Sequence, residues 1–141
     1  MTRVRFPIFP LLLLPLLGGC QWDSRQQVLG TTNTQAAQRA ISTRAFDTKD
    51  RVKVFQAVIA TLQDLGFVVD RADEVLGTVS ATRFGSDLVR FTVTVRSGGA
   101  SRTIVRASGQ INQHDLSDPA PFQRFYDAMS QALFLQANEI D

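Results

Sequence analysis

Three rhythms of apolar and polar residues run along this 141-residue chain. Phe6 to Leu17 is almost wholly apolar, Gln21 to Ala40 is polar with little periodicity, and from Ile41 the spacing becomes that of folded structure. Ile41 to Phe46 alternates and predicts a short strand. Asp47 and Thr48 offer N-caps for a helix beginning near Lys49, with Asp50 in its first turn, where negative charge suits the helix dipole. Phe55, Val58, Ile59 and Leu62 fall at i, i+3, i+4 and i+7 and are joined by Val52 and Leu65, so this helix has one apolar face. Gly66 follows as the stop, because glycine takes the left-handed conformation cheaply.

Phe67 to Arg71 reads as a second strand, turned by Ala72-Asp73-Glu74. Val75 to Arg83 reads as a third, with Gly77, Val79 and Ala81 on one face. The segment from Leu88 to Arg96 alternates most cleanly: Val89, Phe91, Val93 and Val95 on one face, Arg90, Thr92, Thr94 and Arg96 on the other. Ser97-Gly98-Gly99-Ala100-Ser101 makes a turn, and Arg102 to Ile111 returns with Val105, Ala107, Gly109 and Ile111 inward. Asp118-Pro119 starts a second helix, an N-cap followed by proline in the first turn. Its apolar face is Phe122, Phe125, Tyr126, Met129, Ala132 and Leu133, and it ends near Asn138. Four consecutive strands favour antiparallel pairing, and two one-sided helices can cover the same side of the sheet. The expected fold is therefore α+β and two-layered, in the order β-α-β-β-β-β-α, with one domain over residues 41–141.

The leader changes the picture of where this domain works. Met1 to Arg5 is positively charged, the apolar run from Phe6 to Leu17 contains Pro7, Pro10 and Pro15, and the small residues Gly18 and Gly19 precede Cys20. A membrane-spanning helix needs roughly 20 apolar residues with few breakers, so the segment reads as an export signal over residues 1–19. Leu17-Gly18-Gly19-Cys20 resembles the lipobox of bacterial lipoproteins. That resemblance implies a diacylglyceryl thioether on Cys20, cleavage before it and acylation of the new amino group. More than one acyl chain anchors stably. Gln21 follows the cysteine; in enterobacterial lipoproteins aspartate there tends to retain the protein in the inner membrane, so the resemblance implies the outer membrane, periplasmic face.

Residues 20–40 read as a lipidated N-terminus and tether with a flexible-chain reach of about 25 Å. Ala36, Ala37 and Ala40 leave open that its later part, from Thr34, extends a helix or strand into the domain. The element order resembles the TATA-binding-protein-like arrangement and the small domains of the lipoprotein C subunit of the outer-membrane β-barrel assembly machine. The stretches Thr43-Arg44-Ala45-Phe46-Asp47, Leu62-Gln63-Asp64-Leu65-Gly66-Phe67 and Leu76-Gly77-Thr78-Val79-Ser80-Ala81 resemble small uncharacterised lipoproteins of Gram-negative bacteria.

Arg3 and Arg5 carry the whole charge surplus, so residues 20–141 balance 13 basic against 13 acidic side chains. That balance lacks the basic excess of a nucleic-acid binder and the surplus that draws a whole domain to anionic lipid. Cys20 is the only cysteine and His114 the only histidine, which leaves no intrachain disulfide and no Cys/His zinc set. No metal or cofactor is expected.

Asp47 and Asp50, and Asp70, Asp73 and Glu74, sit where caps and turns use acids. His114 and Asp115 lack a nucleophile elbow, and Gly98-Gly99 lacks the lysine and helix of a phosphate loop. No catalytic residue is assigned. The remaining feature is the outward sheet face: Thr78, Ser80 and Thr82, then Arg90, Thr92, Thr94 and Arg96, then Arg102, Ile104, Arg106 and Ser108. Arginine and threonine there suit a partner strand, a glycan or an acidic headgroup.

The expected function is that of a non-enzymatic adapter or accessory subunit in envelope assembly or transport, with the membrane and an envelope protein as partners. The alternatives are a binder of a small ligand or cell-wall glycan, favoured by large inward gaps at Gly77, Ala81, Ala107 and Gly109, and a hydrolase of envelope polymers. The hydrolase requires two of Asp47, Asp64, Asp70, Asp115 and Asp118 to converge.

Overall fold

A computed structural model describes residues 35–138; the leader, Cys20 and most of the tether lie outside the described residues. A helix, α1, passes through residues 35–42, so the helical alternative holds for the later tether. It leads directly into β1 (Thr43–Phe46), followed by α2 (Arg51–Asp64), β2 (Val68–Asp73), β3 (Thr78–Arg83), β4 (Val89–Ser97), β5 (Thr103–Ile111), β6 (His114–Asp115) and α3 (Pro119–Asn138). The fold is α+β, with an antiparallel sheet in the order β1-β5-β4-β3-β2.

Most differences from the sequence expectation lie at element ends. Asp50 is the N-cap of α2 rather than a first-turn residue, its carboxylate accepting from the Lys53 backbone N–H at 3.0 Å. The helix stops as expected: Gly66 has φ +80°, its N–H donates to Gln63 O, and the Phe67 N–H donates to Leu62 O, a Schellman closure. Gly77 is not an inward strand residue. It sits in the β2–β3 turn at φ +66° and its carbonyl accepts from the Val95 N–H at 2.7 Å. Asp118 Oδ1 accepts from the Ala120 N–H at 3.0 Å, capping α3 as expected.

The strand β6 was not anticipated. Asn112 and Gln113 both take positive φ, 48° and 72°, closing a two-residue hairpin that pairs Ile111 with His114 and Gln110 with Asp115. Thus β5 has β4 along one edge and two partners sharing the other: β1 against residues 103–106 and β6 against 110–111.

The core lies between the inward sheet face and the two longer helices. Val79, Ala81, Val89, Phe91, Val93, Val95, Val105 and Ala107 come from the sheet; Val54, Phe55, Val58 and Leu62 come from α2; Phe122, Phe125, Tyr126 and Met129 come from α3. Phe91 is the hub, stacked on Phe67 and Phe122 with centroids at 5.2 and 5.4 Å and meeting Phe125 edge-on at 6.0 Å. The small inward residues fit these rings. A methyl group on Gly109 would stand 2.6 Å from Phe91 Cε1 and 2.8 Å from Leu116 Cδ2, and Ala81 and Ala107 are fully packed. The inward gaps that would have favoured a ligand between sheet and helices are filled.

Candidate functional site

The strand alternation that buries Val89, Phe91, Val93 and Val95 also turns Arg90, Thr92, Thr94 and Arg96 to the face away from α2 and α3. On β5 the same rule buries Thr103, Val105, Ala107 and Gly109 and turns Ile104, Arg106, Ser108 and Gln110 outward. Antiparallel register sets Thr92 opposite Ser108, Thr94 opposite Arg106, and Arg96 opposite Ile104. Arg90 lies at the far end, opposite Gln110, and Arg102 lies in the turn just before β5.

The face is narrower than the alternation alone suggests. Residue 70 is skipped in the β2–β3 register, and Thr82 Oγ1 donates to Asp70 Oδ2 at 2.6 Å, leaving Thr82 only 3% exposed. Thr82 is therefore removed from the expected hydroxyl surface, while Thr78 and Ser80 are half-buried. What remains open is the β4–β5 strip.

One wall of that strip was hidden from sequence reasoning. Ala36, Arg39, Ala40 and Thr43 project along one side of α1 and β1 and, with Thr94, Arg96, Ile104 and Arg106, line an open groove of about 770 Å³. Four of the expected face residues, Thr94, Arg96, Ile104 and Arg106, line it; Arg90, Thr92 and Arg102 do not. The missed residues fall at helical spacing, i, i+3, i+4 and i+7, a signal present in the sequence but without an assigned face.

The wall is fixed by contacts from the middle of the described part of α1 and from its junction with β1. Gln38 Nε2 donates to Leu116 O at 3.1 Å. At the junction with β1, the Tyr126 hydroxyl donates to Ser42 O at 2.6 Å and accepts from the Ala107 N–H at 3.2 Å. Tyr126 thus serves β5 where neither β1 nor β6 pairs with it. Burial pushes the Tyr126 phenol up to about 12, against smaller lowering effects from the Ala107 hydrogen bond, Arg44 and Arg106. Arg44 lies over the Tyr126 ring at 5.2 Å and donates to Ala40 O and Thr43 O.

Among the described residues, none of three clefts, the α1 groove and the two below, brings two carboxylates together. A smaller cavity of about 230 Å³ is lined by Leu65, Phe67, Val89, Phe91, Ile111 and Leu116, with Arg83, Asp118 and Arg124 also in its lining. Another of about 260 Å³ includes Asp47 and Lys53 beside Phe46 and Leu133. Asp118 and Asp47 are the sole carboxylates lining these two, and the α1 groove has none. His114 and Asp115 are both exposed on β6. Among the described residues, no three His, Cys, Asp or Glu side chains are grouped to hold a metal ion. No known protein-family profile matches the chain, and no curated protein matches it.

Proposed function

We propose that this protein is a lipid-anchored lipoprotein on the periplasmic face of the outer membrane, serving as a non-enzymatic adapter or accessory subunit in envelope assembly or transport. The observation that carries the reading is the separation of the two sheet faces. One is consumed by α2 and α3; the other presents Arg90, Thr92, Thr94, Arg96 and Arg106 and, among the described residues, has no helix packed over it, with α1 at its flank. A side chain that packs nothing is available for a partner, and arginine forks make directional bonds to carboxylate or phosphate. The leader, Leu17-Gly18-Gly19-Cys20 and the polar linker supply the membrane part of the reading.

A ligand-binding reading has two supporting features, the cavity of about 230 Å³ lined by Phe67 and Phe91 and the groove of about 770 Å³ beside α1. The first is smaller than the roughly 300–1,000 Å³ typical of drug-sized ligands, and the second lies open along the surface where such sites bury most of their ligand, so the adapter reading is preferred. The test is a photoreactive side chain placed at Thr92 in cells. Crosslinking should capture one envelope protein, and Arg90→Glu, Arg96→Glu and Arg106→Glu together should reduce its yield at least tenfold, since lost charge-assisted bonds exceed about 1.4 kcal/mol. Capture of the same partner at full yield by the triple variant would sink the assignment of this face.

A further inference from the structure

We infer that the groove between α1 and the outward sheet face binds the phosphate of an anionic phospholipid headgroup, seating this side of the domain against the membrane. The inference deepens the lipoprotein reading and rests on it for the proximity that membrane attachment supplies. Its chemistry comes from the groove. Arg39, Arg96 and Arg106 arrive from α1, β4 and β5, and among the described residues the lining contains no carboxylate. Among the described residues, none of these three guanidinium groups is paired with an acid.

Arg96 faces Ile104 across the ladder and Arg106 lies two residues along β5 from Ile104, so the two guanidinium stems are diagonal neighbours on one face. Like charges placed so closely repel, and an anion bound between them removes that repulsion while accepting their forked donors. The hydroxyl of Thr43 adds a neutral donor in the same lining, while that of Thr94 donates to Arg106 O at 3.5 Å.

Two observations favour a lipid headgroup over free phosphate. Ala36, Ala40 and Ile104 form an apolar side to the groove, with Ile104 37% exposed, which suits a glycerol ester better than a fully hydrated ion. The groove wall α1 is also the first described element after Cys20, only 15 residues along the chain at residue 35. Fifteen residues span at most about 50 Å at full extension, so a lipid on Cys20 would keep the groove within that distance of neighbouring headgroups. Although the mature chain is formally neutral, the basic charge is concentrated locally on this face, where short-range attraction to a surface acts.

The test uses the chain from Cys20 to Asp141 carrying Cys20→Ser, so that no lipid on the protein contributes. It is sedimented with vesicles of phosphatidylcholine alone and of phosphatidylcholine mixed with phosphatidylglycerol. The expected result is retention on the mixed vesicles only, weakened by salt, with inorganic phosphate competing poorly. Each basic residue near an anionic surface contributes roughly fivefold in partitioning, so Arg96→Gln with Arg106→Gln should lower retention by about 25-fold. Should that pair alter the melting curve, Arg39→Gln on exposed α1 should still lower it about fivefold.

Equal retention on both vesicles, or on neither, overturns the inference; an acidic protein segment as the true occupant would give the latter. Binding of inorganic phosphate as tight as that of the mixed vesicles also overturns it. Because Cys20 carries no lipid in this assay, its result is separate from that for the anchor. Failure of the anchor reading shows instead as release of the unaltered protein from cell membranes by a high-salt wash, which leaves a lipid-anchored protein in place.

Discussion

Tyr126 is the only tyrosine in the chain, and its hydroxyl joins the α1–β1 junction to the open stretch of β5. Tyr126→Phe keeps the ring but leaves the buried Ala107 N–H and Ser42 carbonyl without that partner. Denaturant unfolding should show a loss of about 1–3 kcal/mol; an unchanged midpoint would mean that water replaces the hydroxyl. The alkaline pH dependence has a definite sign. An ordinary tyrosine titrates near 10 and this one near 12, so its contribution is intact below pH 10 and declines as pH rises from 10 to 12. The two-unit displacement corresponds to about 2–3 kcal/mol, and phenolate absorbance read against melting temperature checks it, with Tyr126→Phe flattening the decline.

Thr61 makes the opposite case. It is 1% exposed and, among the described residues, its hydroxyl has no hydrogen-bond partner. Thr61→Val, nearly the same shape without the orphaned oxygen, should leave stability unchanged or raise it by up to about 1 kcal/mol. A lower melting temperature would reveal a partner for that hydroxyl.

Among the elements, β4 and β5 were the most legible because each side chain's face follows from its position alone. The alternation of Val89 to Arg96 needs no knowledge of neighbours. The Asp70 bulge and β6 were not legible for a shared reason: each is created by pairing. Residue 70 can be skipped only because the flanking residues find partners on β3, and His114-Asp115 is strand only because Asn112 and Gln113 reverse the chain onto β5. Asn112 is held in that turn by Asp87 at 2.7 Å and by the Leu88 N–H at 3.0 Å, contacts across more than twenty residues.

The packing of Gly109 was legible as inward but not as crowded, since Phe91 and Leu116 reach it from β4 and the segment after β6. Gly109→Ala should destabilise by about 1–3 kcal/mol, because one methyl group must displace an aromatic ring that organises the core. Thermal denaturation measures this directly; a neutral substitution would show that Phe91 has a second low-energy rotamer. The groove had a similar history: its sheet half came from alternation, while its α1 half required the chain path from residue 35 to Thr43.

For the whole molecule, the balance of charge and the division of the sheet give a body with one closed side and one receptive side. The proposed anchor places that asymmetry near a surface, and Cys20→Ala is the decisive substitution. After washing with high salt, which removes attachment through surface charge, it should move the protein from the membrane fraction to the soluble periplasmic fraction. Retention in the outer-membrane fraction at unchanged yield after that wash would refute lipid anchorage at this position.

The tie between Tyr126 and Ser42 has a mechanical consequence. A pull from the N-terminal side enters the fold through α1, and the first deeply buried point on that route is Ser42, fastened by its carbonyl to a tyrosine on the last helix. Load is therefore shared between the start and the end of the fold before the β1–β5 ladder bears it alone. Under the proposed anchor, the hydroxyl that completes β5 would also act as a strain relief for a domain held from its N-terminal side.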